Sequence, residues 1–218
     1  MVEIPGRVSQ HSSRATVVYN YAWQPRETEG GPCILNSDHR RVELSDIHRV
    51  HELTKQLYPH EYLDEGLGAI GLFLYDPPTK AAYAVTPLNS MTFGGIGVDG
   101  IHFASITDNA AVDPMAPVVM SIPMALETPN FIVGETMYDF LCLGCRHGYS
   151  NLGNLHLHRE EVIRYLQGPP KSFFDERSEA ILQTLCDELS LTPWMDVGAR
   201  FEEMQSKYAK TLRLQTHP

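Results

Sequence analysis

The segment Phe93-Gly-Gly-Ile-Gly-Val-Asp-Gly-Ile-His-Phe103 contains a short turn signal between two apolar runs. Asp99-Gly100 is typical of a two-residue β-hairpin turn of type I′, in which both central residues need a positive φ. The residues from Ile101 to Ile106 alternate between apolar and polar or small side chains, as they do in a strand. The sequence therefore predicts a β-hairpin in which Val98 pairs with Ile101.

The same segment matches a nucleotide-binding pattern in letters only. Gly95-Ile-Gly-Val-Asp-Gly100 reads as G-x-G-x-x-G, which binds a dinucleotide when a strand precedes it and a helix follows it. The helix is needed because its N-terminus faces the pyrophosphate. Here a strand follows, so we expect no nucleotide and no other cofactor.

The predicted hairpin has two different faces. If Gly97 pairs with His102, one face is apolar and belongs to the core, whereas the other is bare glycine next to the His102 ring. Either a neighbouring segment packs on that bare face and satisfies His102, or the imidazole contacts a ligand. The apolar face carries Ile96, Val98, Ile101 and Phe103, and the candidate binding residues are Gly95, Gly97, Asp99 and His102.

The regions on either side of the hairpin predict an α+β fold. Further strands are expected at Leu67–Tyr75, Ala81–Thr86, Pro117–Ile122 and Asn130–Val133, with the hairpin strands at Met91–Val98 and Ile101–Thr107. The connections are too short for crossover helices, so the central sheet should be mainly antiparallel. Helical periodicity before and after this region predicts flanking helices, including a helix capped by Ser45 and a pair at the C-terminal end.

The chain divides most simply near a Gly-Pro-Pro sequence that starts at Gly168. Residues 1–168 are expected to form the α+β domain, with an irregular arm at residues 1–14 and a strand at Ala15–Trp23. Residues 169–218 are expected to form a helical extension that packs on the same domain. Its two helices, expected at Phe174–Leu189 and Phe201–Leu212, could instead form the seam of a homo-oligomer, which would make the chain a structural oligomerisation module.

Composition limits the partners. The hydrophobic fraction of 43% is sufficient for a packed core. The formal net charge of -10 argues against nucleic acid, whose binding depends on Lys and Arg at the phosphates. No apolar leader or membrane-length apolar run is visible, so no membrane association is expected. Four scattered cysteines do not suggest a disulfide framework, and a reducing cytoplasm is the simplest location.

A metal-binding protein or metalloenzyme is one alternative. Cys142-Leu-Gly-Cys145 has the spacing of a zinc ligand pair, and His147 with His156 or His158 could complete a tetrahedral set. The chain contains only one C-x-x-C, however, and these thiols close a predicted helix instead of opening it. Buried, inert thiols are the simpler interpretation, and we expect no metal.

Catalytic signatures are incomplete throughout the chain. The sequence has no G-x-S-x-G nucleophile elbow and no H-E-x-x-H zinc motif. Asp99 and Asp108 lie on either side of a predicted strand, but each is more simply a turn residue. We therefore expect a protein that is not an enzyme.

Three consecutive segments together resemble a known superfamily. They are the Phe93–Phe103 hairpin, an apolar strand within Pro117–Pro123, and Asn130–Leu141, whose helix ends in Asp139-Phe140-Leu141. In this order they resemble the SUKH superfamily, which contains bacterial toxin-immunity proteins and yeast regulators of cell-wall glucan synthesis.

The resemblance implies a sheet with flanking helices and a non-catalytic, protein-binding role. It would make residues 1–168 a SUKH-like domain and the chain a toxin antagonist or regulatory partner. The superfamily has no shared catalytic residues to transfer. On this interpretation the partner is a protein, bound through the sheet and the face that carries Gly95, Gly97 and His102.

Overall fold

The computed structural model describes residues 40–59, 65–125, 127–169 and 175–215. The arm expected at residues 1–14 and the strand expected at Ala15–Trp23 lie outside the described residues. Within the described ranges, no helix is both long enough and apolar enough to cross a membrane.

A five-stranded antiparallel sheet forms the centre of the described chain, which confirms the predicted α+β class. The strands lie in sequence order across the sheet, so each one pairs with the strand before it. Short connections permit this arrangement because antiparallel neighbours need no crossover helix. The strands are β1 (Phe73–Thr79), β2 (Ser90–Gly95), β3 (His102–Ile106), β4 (Val118–Ser121) and β5 (Asn130–Gly134).

Two strand predictions were wrong. The first half of Leu67–Tyr75 is a 3-10 helix, Gly66–Ile70, which ends at Gly71 with a φ of 76°. Ala81–Thr86 forms no strand and is part of the loop between β1 and β2. β1 instead continues through Asp76-Pro77-Pro78, a sequence expected to form a turn, because edge strands tolerate proline and the pairing is irregular there.

The hairpin turn has the predicted conformation. Asp99 and Gly100 both have positive φ, at 53° and 67°. The amide of Ile101 donates to the carbonyl oxygen of Val98 at 3.0 Å, which closes the two-residue turn. The signal was sufficient because type I′ geometry depends on these two residues alone.

The register behind the turn differs from the prediction. His102 pairs with Gly95 instead of Gly97, because β2 ends at Gly95 and Gly97, with a φ of 84°, lies outside the ladder. A Cβ at Gly97 would lie 2.5 Å from the Phe73 ring, so that ring fills the space that the glycine leaves. Val98 was expected on the core face, but 57% of its surface is exposed.

The described residues contain five α-helices, and most of these begin at a side-chain cap. Glu43 and Asp46 form a reciprocal capping box at the start of the first helix, so Ser45 is not its cap. Asp175 caps the fourth helix and accepts from the amide of Ser178. The helices are α1 (Leu44–Leu57), α2 (Met137–Gly144), α3 (Leu155–Gln167), α4 (Glu176–Leu189) and α5 (Val197–Tyr208).

One hydrophobic core joins the sheet to the helices. The Phe140 ring of α2 lies 4.8 Å from the Phe103 ring of β3 and 5.2 Å from Tyr149. The two C-terminal helices contribute to the same core, through Ile181, Leu182, Leu185 and Leu189 of α4 and Phe201 and Met204 of α5. The apolar faces considered as an oligomer seam are therefore buried within this chain.

Candidate functional site

The hairpin tip, defined as Gly97–Ile101, projects a mixed surface. Gly97, Val98 and Asp99 are exposed, whereas Ile101 is buried beneath them. Val98 and Asp99 are consecutive in the turn, so the tip exposes an apolar side chain and a carboxylate together. A protein partner can recognise an exposed apolar group next to a negative charge.

His102 lies beneath the tip and is almost completely buried, with 1% of its surface exposed. Its Nδ1–H donates to the carbonyl oxygen of Gly100 at 2.8 Å, since a carbonyl can only accept. Its Nε2 therefore accepts from the hydroxyl of Thr86 at 2.9 Å. Burial lowers the pKa of His102, opposed by the Gly100 hydrogen bond, so the ring is neutral in this arrangement.

Tyr83 covers the buried histidine from outside. Its ring stacks on His102 with the ring centres 5.5 Å apart and the planes 20° from parallel. A Cβ at Gly100 would lie 2.4 Å from the Tyr83 hydroxyl, so Gly100 allows the tyrosine to lie against the turn. The Tyr83–Thr86 loop is also held by Asn130, whose amide donates to the carbonyl oxygen of Val85 at 3.0 Å.

A small open cavity lies beside the hairpin tip. Its volume is about 180 Å³, and its walls come from Tyr75 of β1 and from the residues of the tip, Gly97, Val98, Asp99, Gly100 and Ile101. Tyr75 is half-buried, and burial together with the nearby Tyr83 raises the pKa of its phenol. The Tyr75 hydroxyl is therefore neutral at ordinary pH.

The four residues predicted for binding separate into two layers. Gly97 and Asp99 line the cavity and face solvent. Gly95 and His102 lie in the buried layer, where a Cβ at Gly95 would be 2.4 Å from the carbonyl oxygen of Ile101. Of the two interpretations of His102, the geometry matches the one in which a neighbouring segment packs on the glycine face. His102 therefore supports the surface and does not form it.

Sequence reasoning did not place Tyr75 and Tyr83 at this site. Tyr75 was expected at the end of a strand, and Tyr83 within a strand that does not form. Neither position carries a local signal, because each tyrosine reaches the tip only through the β1–β2 loop and the pairing of β1 with β2.

The proposed metal ligands are not brought together. His147 donates to the carbonyl oxygen of Gly168 at 3.1 Å, and His156 donates to that of Gly153 at 2.8 Å. Among residues 40–59, 65–125, 127–169 and 175–215, no group of three or more His, Cys, Asp or Glu side chains could hold a metal ion.

The C-x-x-C thiols lie at the end of α2, as the sequence predicted. Cys142 and Cys145 are buried, and the Cys145 thiol donates to the carbonyl oxygen of Cys142 at 3.1 Å. Burial raises the pKa of Cys142 to about 11. The pKa of Cys145 is also raised, first by its hydrogen bond with Cys186 and then by burial. Thiols with raised pKa values are poor nucleophiles and poor metal ligands at neutral pH.

A second polar cluster was not predicted at all. We call it the charged corner: Glu135, Asp139, Arg200, Lys207 and Tyr208, which join the β5–α2 junction to α5. Arg200 donates to Glu135 at 3.0 Å and to Asp139 at 3.2 Å. Lys207 and Tyr208 both donate to the other Glu135 oxygen.

The charged corner is electrostatically satisfied. Burial alone would raise the pKa of Glu135, but hydrogen bonds from Lys207, Tyr208 and Arg200 lower it to about 2. Asp139 also accepts from the amide of Glu135 at 2.8 Å, and its own amide donates to the Thr136 cap of α2. Because the Glu135 oxygens are used by the chain itself, this cluster fixes α5 and offers no open binding position.

Comparisons of the chain with protein-family models, with curated proteins and with solved structures give no match.

Proposed function

We propose that the chain is a non-enzymatic, protein-binding protein of the SUKH-like type that acts as a toxin antagonist or regulatory partner. One observation carries this proposal. The three segments with the superfamily resemblance form a single packed unit, in which β4 lies between β3 and β5 and Phe140 of α2 packs on Phe103 of β3. That unit ends in the exposed hairpin tip.

Close packing inside this unit depends on the resembling residues. A Cβ at Gly134 would lie 2.5 Å from the backbone nitrogen of Phe140, so glycine lets α2 approach β5. The Phe140 ring also packs edge-to-face against Phe93 of β2, with the ring centres 5.8 Å apart. Hairpin, strand and helix therefore depend on one another, which is the relation expected of segments that recur together in a family.

The tip supports protein binding through its exposure and chemistry. Tyr83 and Val98 are exposed beside Asp99, and aromatic and apolar groups at the centre of a patch contribute most to binding energy. The net charge of -10 favours a basic partner, because opposite net charge speeds diffusional encounter.

Co-expression with protein toxins encoded next to its gene tests the proposal. The full chain should form a complex that co-elutes in size-exclusion chromatography, and it should restore growth of cells that produce the toxin. Val98→Lys should weaken the complex at least about tenfold, by adding a charge that repels a basic partner.

Leu157→Lys is the matched control. Leu157 lies on α3 with 68% of its surface exposed, so the same change there should leave the complex unaffected. The proposal fails if no neighbouring toxin binds or is neutralised. If a toxin binds but both lysine variants behave alike, the protein-binding role stands and the hairpin tip is not the interface.

A further inference from the structure

The size of the hairpin-tip cavity limits what it can bind. Sites for cofactors and other small molecules usually enclose roughly 300–1,000 Å³. The cavity beside Tyr75 encloses about 180 Å³ and is open to solvent. A single side chain inserted from a partner surface fits this volume, whereas a nucleotide or a flavin does not.

Two polar side chains at the cavity, Tyr75 and Asp99, have unused hydrogen-bonding capacity. Within the part of the chain that the structure describes, the Asp99 carboxylate has no ion pair and no hydrogen bond, and the same holds for the Tyr75 hydroxyl. Asp99 is exposed, so water solvates its charge in the free protein. A guest that donates hydrogen bonds and carries positive charge would complement this wall.

The cavity wall also includes an aromatic ring and an aliphatic side chain. Tyr75 and Val98 both line the cavity, and Tyr75 is half-buried whereas Val98 is exposed. Long cationic side chains suit such walls because their methylene stems pack on apolar groups and their heads interact with aromatic faces and carboxylates. His102 adds no competing cation, because both of its ring nitrogens are used internally in the neutral form.

We propose that this cavity is the recognition pocket for a lysine or arginine side chain of the partner protein, held by the Tyr75 ring and the Asp99 carboxylate. The inference rests on the proposed protein-binding function and names the chemistry that the partner must present. It also assigns the acidic character of the chain a local role, since Asp99 is one of the residues that line the cavity.

Amide NMR spectra of the full chain test the pocket without the partner. The probes are Nα-acetyl-arginine amide and Nα-acetyl-lysine amide, and the neutral control is Nα-acetyl-citrulline amide. The cationic probes should shift the signals of Gly97–Ile101 and Tyr75 with dissociation constants in the millimolar range, and citrulline should not. Shifts that are absent, that are equal for citrulline, or that occur only elsewhere would overturn the proposal.

Two carboxylate variants sharpen this test. Asp99→Asn removes the charge and keeps a residue that tolerates positive φ, so the turn should survive while the cationic probe binds about three- to tenfold more weakly. Glu160→Gln removes the same charge from an exposed position on α3 and should leave probe binding unchanged. An equal loss in both variants would assign the effect to net charge and not to the pocket.

The complex with a neighbouring toxin separates this inference from the proposed function. If the complex forms and Asp99→Asn leaves its affinity unchanged, the protein-binding function stands and the pocket proposal is wrong. If the cationic probes bind at the tip but no toxin is bound or neutralised, the pocket stands and the toxin-antagonist function is wrong.

Discussion

The hairpin tip and the charged corner both contain carboxylates close to the sheet, but the carboxylates of the two regions are in opposite situations. At the charged corner, Glu135 accepts from three donors of α5 and is mostly buried. At the tip, Asp99 is exposed and has no partner in the described chain. A carboxylate that is satisfied internally stabilises the fold, whereas an unpartnered one remains available to another molecule.

The contacts that hold the two regions in place also differ. The charged corner is held by ionic hydrogen bonds, which are roughly twice as strong as neutral ones. The tip rests on neutral contacts: the stack of Tyr83 on His102 and the hydrogen bond from Thr86 to His102. Substitutions that test stability should therefore separate from substitutions that test binding.

The largest effect is expected from a methyl group at Gly97. Gly97→Ala forces a side chain into a positive φ and against the Phe73 ring, which should cost about 2–3 kcal/mol of unfolding free energy. Gly198→Ala in α5 is the control, because a Cβ there meets only ordinary contacts at 3.5 Å or more. Gly198→Ala should raise the free energy of unfolding by about 0.5–1 kcal/mol. Urea unfolding of both variants measures the difference, and similar values for the two would refute the tight packing at Gly97.

The second-largest effect on unfolding free energy is expected from removal of the Glu135 charge at the charged corner. Glu135→Gln leaves Arg200 and Lys207 without their carboxylate and should cost about 2 kcal/mol. Glu160→Gln, at an exposed position without an ion pair in the described chain, should change stability by less than about 0.5 kcal/mol.

The pH dependence of the same corner has a defined sign. The folded-state pKa of Glu135 is about 2 and lies below its ordinary value of 4.5. Its stabilisation is therefore complete above pH 4.5 and is lost as the pH falls towards 2. Wild-type protein should lose more stability than Glu135→Gln over that interval. Parallel losses would mean that Glu135 is not held as a carboxylate.

The hairpin tip and the charged corner also differ in how well the sequence alone predicts them. The Asp99-Gly100 turn was predicted because its signal is local to two residues. The register behind it was not, because Gly97 lies outside the ladder against the Phe73 ring, which belongs to another strand. The antiparallel arrangement of the sheet was predicted from the short connections, and even the misplaced strand at Ala81–Thr86 did not change the α+β class.

The parts of the candidate site that could not be predicted depend on contacts between residues far apart in the sequence. Glu135 and Arg200 are 65 residues apart, and no periodic pattern links one to the other. Tyr83 reaches His102 only because its loop folds back across the hairpin. Gly97 and Asp99 were identified as binding candidates from their type and position, but the cavity beside them needed Tyr75 from β1.

A smaller effect on unfolding free energy is expected from substitution of the buried His102. His102→Gln should cost about 1 kcal/mol at neutral pH, because glutamine cannot reproduce both ring hydrogen bonds. Burial lowers the folded-state pKa of His102 below its ordinary value of 6.5, opposed by the Gly100 hydrogen bond. Its stabilisation is therefore complete above pH 6.5 and is lost as the pH falls below that value.

Thermal unfolding at neutral and mildly acidic pH measures this difference. His51, whose pKa is also lowered by burial, contributes equally to both proteins, so the comparison isolates His102. The stability gap between wild type and variant should narrow on acidification. A gap that widens would mean that the ring is protonated in the folded state.

The smallest effect on stability is expected from Asp99→Asn, and this result bears most directly on why an acidic residue stands at the tip. Asparagine tolerates positive φ as well as aspartate does, so the free energy of unfolding should change by less than about 0.5 kcal/mol. Asp99→Ala should cost about 1–2 kcal/mol, because alanine resists that backbone conformation. Urea unfolding compares the two variants. If Asp99→Asn were as costly as Asp99→Ala, the carboxylate would be holding the turn. If it is neutral, the turn does not need the charge, and the charge is free to meet a cationic side chain.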